Sequence, residues 1–167
     1  LGTYSRGALI GVAAMGAFFW WRSKQKVVWG ILIVIIGIGA LKLAGMNWLD
    51  AICHTFSAMG LGGFGNHDSS VAFYHSATIE MVLAAIMVAA MLNFSRHFIA
   101  LRTLSLRPYA EDPEAKAILA ALAFSILLIA GLLVMQDHYA SFGTALRHAT
   151  FAVVSVASTT GFATENW

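Results

Sequence analysis

Two short stretches of the sequence place glycine inside otherwise apolar surroundings, and the second adds hydroxyl residues. The first reads AMGLGGFGNHD (residues 58–68) and the second reads STTGF (residues 158–162). Lipid strongly penalises unpaired backbone amides and carbonyls, so non-helical backbone at membrane depth is tolerated only where protein buries it or where water and ions meet it. Carbonyl oxygens presented in this way can replace the hydration shell of a monovalent cation. The two stretches therefore predict dehydration and coordination of a cation.

Polar side chains around the first stretch allow a second kind of chemistry. His54, His67, Asp68 and His75 carry the donor atoms of a metal site. Their spacing matches no compact ligand pattern such as His-x-x-x-His, so a membrane-embedded, metal-dependent enzyme is the alternative hypothesis and requires these histidines to converge. We interpret His54 instead as a polar residue supporting the helix before the glycines. We interpret His67 and Asp68 as a cap on the next span or as part of the pore mouth.

Three further ionisable residues lie in or beside apolar segments. Glu80 interrupts residues 77–94, and an ionisable residue within a span is a functional candidate by default. A cation site and a pairing with another helix are both open for it. Arg147 and His148 stand near the start of a later apolar segment, where a cation opposes the helix dipole. We therefore expect these two residues to lie outside the membrane and to be solvated.

Composition places the chain in the membrane. The 167 residues are 59% hydrophobic and only 11% charged, against about 25% charged in soluble domains. The net charge is +2 and the basic residues are scattered, which argues against a nucleic-acid partner. Cys53 is the single cysteine and excludes an internal disulfide. The chain begins with leucine rather than methionine, so we expect a piece of a longer protein.

Four apolar segments are candidate membrane spans. They cover residues 7–21, 27–41, 77–94 and 117–135. The sequence Asp112-Pro113-Glu114 predicts the helix start before the last of them, because proline suits a first helical position and carboxylates suit a helix N-terminus. Basic residues concentrate in two of the connecting loops, which predicts that both loops face the cytoplasm: Arg22, Lys24, Lys26 in one, and Arg96, Arg102, Arg107, Lys116 in the other.

Two shorter apolar segments run directly into the glycine stretches. Residues 48–59 and 144–157 are too short to cross a bilayer, so we interpret them as re-entrant half-helices. A shift of 98 positions superimposes one on the other and aligns four identical pairs: Ala51 with Ala149, Ser57 with Ser155, Gly63 with Gly161, and Phe64 with Phe162. This predicts an internal repeat of the order span, pore loop, span. The predicted organisation is a hydrophobic span of uncertain origin (1–26), a complete repeat (27–98), a cytoplasmic loop (99–116) and the start of a next repeat (117–167).

The segment HTFSAMGLGGFGNHDSSVAFYHSATI, together with FAVVSVASTTGFAT, resembles the Trk/Ktr potassium-transporter superfamily and, within it, the TrkH-like membrane subunits. The resemblance implies an all-α integral membrane fold in which four span–pore loop–span repeats surround a pseudo-fourfold pore. This chain would supply the second repeat and the start of the third. The filter glycine of the family maps onto Gly63 and Gly161. The carbonyl-bearing positions before it map onto two sets of three residues: Gly60, Leu61, Gly62 and Ser158, Thr159, Thr160.

The resemblance also implies a function. The fragment would belong to the pore-forming subunit for potassium uptake across the cytoplasmic membrane, as a multi-pass protein with potassium as transported substrate and no covalently bound cofactor. It would not be an enzyme. Its implied partners are the lipid bilayer, the remaining repeats of the same chain, a second copy in a homodimer and a cytoplasmic TrkA-type nucleotide-binding regulator. A structural membrane subunit without a pore is a further alternative, which requires the glycine loops to pack against helices without an axial opening.

Overall fold

The computed structural model describes residues 24–139 and 141–164, with side chains from residue 31 onward. The predicted span 7–21 lies outside the described residues. The described ranges contain a 3-10 helix at Ser70–Tyr74 and no strand. Their α-helices are α1 (Lys24–Leu43), α2 (Trp48–Met59), α3 (Ala77–Met91), α4 (Phe94–Thr103), α5 (Arg107–Ala110), α6 (Pro113–Met135) and α7 (Phe142–Ala157). The chain divides into two compact units, Leu1–Ile33 and Val34–Trp167, and the second holds everything from the later part of α1 onward.

Helix α6 contains the predicted segment 117–135. Its 23 residues are long and apolar enough to cross a membrane, and within the described part of the chain no other single helix passes that test. The helix begins as its sequence predicts: Asp112 is the N-cap, its side chain accepts a hydrogen bond from the Glu114 amide, and Pro113 occupies the first turn. The apolar part of α1, Ile31–Leu43, is a shorter helix.

The predicted span 77–94 is not one straight helix. Helix α3 ends at Met91, and the chain bends by 104° into α4. The cause is Asn93, whose side-chain oxygen accepts a hydrogen bond from the Ser95 amide at 3.0 Å and so begins a new helix. The 15 residues of α3 extend about 22 Å at 1.5 Å per residue. The segment 99–116, predicted as a loop, contains the end of α4, all of α5 and the start of α6.

His97, in α4, forms hydrogen bonds to both α3 and α5 and so stabilises this bend. Its Nε2 lies 2.7 Å from the Ala89 carbonyl oxygen and its Nδ1 lies 2.6 Å from the Tyr109 hydroxyl. Because a carbonyl can only accept, Nε2 carries the proton and the Tyr109 hydroxyl donates to Nδ1. Burial raises the pKa of Tyr109 and keeps that hydroxyl protonated. A second contact joins Arg96 Nε to Asp112 Oδ2 at 3.1 Å, so α4 holds both the end of α3 and the start of α6.

The helices of the second unit pack around the two half-helices. Helix α2 packs on α3, and α7 packs on both α6 and α3. Large apolar side chains are fully buried between them, including Leu41, Leu83, Met87 and Phe151. Gly37 lets α1 approach α2 closely, because a Cβ at this position would lie 2.9 Å from Thr55 Cγ2. This packing fixes the half-helices that lead into the glycine loops.

Candidate ion-coordination site

Each half-helix ends in the same hydrogen-bond pattern before its glycine loop. The pattern is a Schellman motif, in which two amides beyond the helix bond back to carbonyls of the last turn. The three bonds of the first loop recur 98 residues later in the second, with the same pairs of positions. They are Gly60→Phe56, Leu61→Ala58 and Gly62→Ser57 in the first loop (2.9, 3.2 and 2.8 Å), and Ser158→Val154, Thr159→Val156 and Thr160→Ser155 in the second (2.9, 2.9 and 3.0 Å).

Backbone dihedrals repeat in the same register. Leu61 has φ 52° and Gly63 has φ 67°, while Thr159 has φ 60° and Gly161 has φ 85°. The residue between each pair does not have positive φ. Alternation of right-handed and left-handed residues forms a turn in which successive amides share one side of the backbone. The left-handed conformation costs leucine or threonine about 1–2 kcal/mol, so the surrounding structure must enforce it.

The two loops meet at Gly63. A Cβ on Gly63 would overlap the carbonyl oxygen of Thr160, so this glycine is required both by its dihedral and by the approach of the other loop. Gly161 differs, because no atom lies within 4 Å of the place where its Cβ would stand. Only the positive φ requires glycine there.

Hydroxyl groups and a ring hold the second loop in place. Ser155 Oγ donates to the Phe162 carbonyl at 2.7 Å, and the hydroxyls of Ser158 and Thr160 lie 2.7 Å apart. The Phe162 ring stacks on His54 of the first half-helix, with ring centroids 5.6 Å apart. His54 is fully buried and its Nδ1 donates to the Asp50 carbonyl at 2.8 Å. The second loop therefore rests on the half-helix of the first.

Asp50 is a residue that the sequence analysis did not select. Its buried carboxylate accepts hydrogen bonds from four side chains: Asn47 Nδ2 (2.9 Å), Asn66 Nδ2 (2.8 Å), His67 Nε2 (3.1 Å) and Tyr74 OH (2.6 Å). Burial alone would raise the pKa of Asp50, but the bonds from Asn66, Tyr74 and His67 outweigh it and hold that pKa well below its ordinary value. The sequence does contain a signal for Asp50: the spacing Asn47-x-x-Asp50 is typical of a helix start, with a capping residue followed three positions later by a carboxylate.

The other polar residues of the first loop take separate positions. Asp68 is exposed, and the cap of α3 is Ser76, whose Oγ accepts from the Ile79 amide at 3.5 Å; the interpretation of His67 and Asp68 as that cap is therefore wrong. His67 stacks on Phe73, with ring centroids 3.6 Å apart, and points to Asp50. Across the described residues, no three His, Cys, Asp or Glu side chains gather in an arrangement that could hold a metal ion.

Glu80 pairs with Arg147, whose side chain is 36% exposed, so Arg147 is partly solvated and not free of the helix packing. Arg147 Nε lies 3.2 Å from Glu80 Oε2, although the two atoms lack the alignment of a hydrogen bond. The pairing has a physical reason, because the buried carboxylate of Glu80 needs a nearby opposite charge. Arg147 Nη2 also lies 2.9 Å from His148 Nε2, and the His148 ring stacks on Tyr139. Helices α3 and α7 are thus joined by charge near their N-terminal ends.

Residues 23–167, which include both half-helices and both loops, match the family model of TrkH, described as a cation transport protein. The chain belongs to the TrkH family. Similar curated relatives are the Trk system potassium uptake protein TrkH of Halomonas elongata, 40% identical over 139 residues, and that of Escherichia coli K12, 34% identical over 144 residues. These alignments cover 82% and 84% of this chain but 29% and 30% of the relatives, so the chain spans about a third of their length.

A solved structure has the same fold. The crystal structure of the potassium transporter TrkH from Vibrio parahaemolyticus superimposes with a TM-score of 0.78 and 28% sequence identity, covering 99% of this chain and 33% of the other. The all-α membrane fold expected from the sequence is thereby confirmed. Membership of the TrkH family also confirms the prediction that the chain belongs to a membrane protein.

Proposed function

We propose that this chain is part of the pore-forming subunit of a potassium-uptake system, and that its two glycine loops are two strands of a selectivity filter. The observation that carries the proposal is the repeated geometry: the same Schellman bonds and the same alternation of φ recur 98 residues apart, and the two loops meet at Gly63 and Thr160. Relatives named potassium uptake proteins support potassium as the transported ion.

The coordinating atoms would be backbone carbonyls of the two loops. A potassium ion entering the filter loses water, and several fixed carbonyl dipoles of matching field replace it. The positions proposed to supply or orient them are Gly60, Leu61, Gly62, Gly63, Ser158, Thr159, Thr160 and Gly161. The Schellman motif engages amides of these loops, and the proposal is that their carbonyls face the ion. His54, Asp68 and Glu80 would support the filter or the pore mouth without binding the ion.

The complete pore would need further repeats of the same polypeptide, arranged with pseudo-fourfold symmetry. Two surfaces of the first repeat support this proposal. One is formed by Phe64 and the other by Leu49 and Phe56, and both are more exposed than the equivalent residues 98 positions later. Phe64 is 80% exposed, whereas Phe162 is 4% exposed and lies on His54. Leu49 and Phe56 are 67% and 59% exposed, whereas their counterparts Arg147 and Val154 pack toward α3. Another repeat with a helix like α3 would cover the exposed faces.

The proposed organisation keeps 27–98 as a complete repeat, 99–116 as a cytoplasmic connection and 117–167 as the start of the next repeat. The protein would be a multi-pass protein of the cytoplasmic membrane, with the basic loop inside. A homodimer and a cytoplasmic TrkA-type nucleotide-binding regulator are proposed partners on the strength of the family membership. We propose no catalytic role for it.

The proposal is tested in the full-length protein from which this segment comes. Rubidium uptake is measured in cells that lack their own potassium transporters, with sodium as competitor. We expect Gly63→Ser and Gly161→Ser to relax the preference for rubidium at unchanged protein level, because a side chain disturbs the backbone that presents the carbonyls. Gly131→Ser is the matched control, since Gly131 lies in α6 with ordinary φ and open space around it. Wild-type preference in both filter variants would contradict the filter assignment.

A further inference from the structure

The carboxylate of Asp50 joins three separate segments of the chain. Its own helix, α2, leads into the first glycine loop. Asn66 and His67 belong to the segment that leaves this loop, and Tyr74 ends the 3-10 helix that follows. One buried side chain near the start of α2 therefore anchors the segment that leaves the first loop. It also holds both ends of the segment 66–74.

The segment held by Asp50 in turn holds the second loop. Ser70 Oγ accepts a hydrogen bond from the Ala163 amide at 3.3 Å, and the Ala72 amide donates to the Ala163 carbonyl at 3.1 Å. Ser70 and Ala72 lie between His67 and Tyr74, the two residues that contact Asp50 in this part of the chain. Ala163 lies two residues after Gly161. A continuous set of hydrogen bonds thus runs from Asp50 to the exit of the second loop.

We propose that Asp50 is a positioning residue for permeation, which sets the spacing of the two glycine loops through the segment 66–74. This inference rests on the proposed function of the loops as a filter. Asp50 acts through its neighbours rather than on the ion. Its buried carboxylate already accepts hydrogen bonds from four side chains of the protein, three at Oδ2 and one at Oδ1.

The negative charge of Asp50 is essential to this role. Its partners all present donors, so only a group that accepts at both oxygens satisfies them. Asparagine has the same shape but is neutral and accepts at one oxygen only. A charged acceptor also makes these hydrogen bonds stronger than neutral ones. Because the carboxylate is buried, water does not replace a lost partner.

The test compares Asp50→Asn with Asp137→Asn in the full-length protein. Asp137 is a suitable control because it is an exposed carboxylate just after α6 and has no proposed role in the filter or the pore mouth. Rubidium uptake is measured against rubidium concentration with and without sodium, alongside the amount of protein in the membrane. We expect Asp50→Asn to reduce the preference for rubidium over sodium about fivefold or more, the lower end of typical couplings between separate sites. We expect Asp137→Asn to leave that preference unchanged.

Two further variants each remove one hydrogen bond in the set between Asp50 and the second loop. Tyr74→Phe removes one donor to Asp50, and Ser70→Ala removes the hydroxyl that holds Ala163. Both should shift the cation preference in the same direction as Asp50→Asn but by less. These variants decide the matter if Asp50→Asn does not reach the membrane, because wild-type preference in both would then overturn the inference.

The outcomes separate the inference from the proposed function. A wild-type protein that shows no uptake of rubidium contradicts the proposed function. A wild-type protein that is selective, with an Asp50→Asn variant equally selective, overturns only the role of Asp50. The role of Asp50 is also overturned if uptake by Asp50→Asn falls only in proportion to the amount of protein and the cation preference stays unchanged. That result is expected of a residue that supports only the stability of the fold.

Discussion

The Glu80 carboxylate lies 3.2 Å from the Arg147 guanidinium and joins the helix after the first glycine loop to the half-helix before the second. The two partners are buried to different degrees: the Glu80 side chain is 6% exposed and the Arg147 side chain is 36% exposed. This difference makes the pair asymmetric. Loss of the arginine leaves a buried charge without a partner, whereas loss of the carboxylate leaves a cation that already reaches water.

The first prediction follows from this asymmetry. Arg147→Ala should destabilise the full-length protein by up to about 3–5 kcal/mol, the usual cost of isolating a buried charge. Glu80→Gln should cost clearly less and retain transport and cation preference, with at most a several-fold change in apparent rubidium affinity. Thermal unfolding in detergent and rubidium uptake measure the two effects. Equal losses of stability in both variants would contradict the asymmetry, and abolished transport in Glu80→Gln would place Glu80 in the ion pathway.

The second prediction distinguishes the two filter glycines. Gly63→Ala must displace the Thr160 carbonyl as well as strain the backbone, whereas Gly161→Ala adds only the strain of a positive φ, about 1–2 kcal/mol. We therefore expect Gly63→Ala to lower rubidium uptake and selectivity more than Gly161→Ala does. Gly39→Ala is the control, because Gly39 has ordinary φ in α1 and nothing stands near its Cβ position. The reverse order of the two filter variants would show that the loops do not approach each other as described.

The sequence could predict the elements that depend on local patterns. The first half-helix has the predicted ends, Trp48 and Met59, because its apolar face and the following glycines are adjacent in the chain. The contacts of Asp50 could not be predicted, since Tyr74 lies 24 positions away and reaches it only after the loop has folded back. The bend at Asn93 was missed for a different reason. The apolar run extends one residue past Asn93, to Phe94, and the cap at Asn93 is a single side-chain hydrogen bond.

The third prediction concerns pH and the Asp50 cluster. Hydrogen bonds lower the pKa of Asp50 despite its burial, so its contribution to stability is fully present above the unfolded value, about 3.9, and is lost as the pH falls through the lower folded value. The melting temperature of the wild type should therefore exceed that of Asp50→Asn at pH 5, and the difference should narrow between about pH 4 and pH 3. Asp68→Asn provides the control. A difference that grows on acidification would contradict the sign of this pKa shift.

The last prediction concerns the orientation of the chain. Arg96, Arg102, Arg107 and Lys116 lie on one side of the proposed spans, and such basic residues favour the cytoplasm. Leu104 and Leu106 stand in the same region and are 90% and 79% exposed, while Asp68 is exposed in the outer segment.

In a Cys53→Ser background, a membrane-impermeant thiol reagent should label Asp68→Cys in intact cells. It should label Leu104→Cys and Leu106→Cys only after the membrane is opened. Leu83→Cys is the control: Leu83 is buried, so this cysteine should stay unlabelled on both sides if labelling requires exposure. Labelling of positions 68 and 104 from the same side would overturn the re-entrant arrangement, because the chain would then not cross the membrane between the first glycine loop and the basic loop.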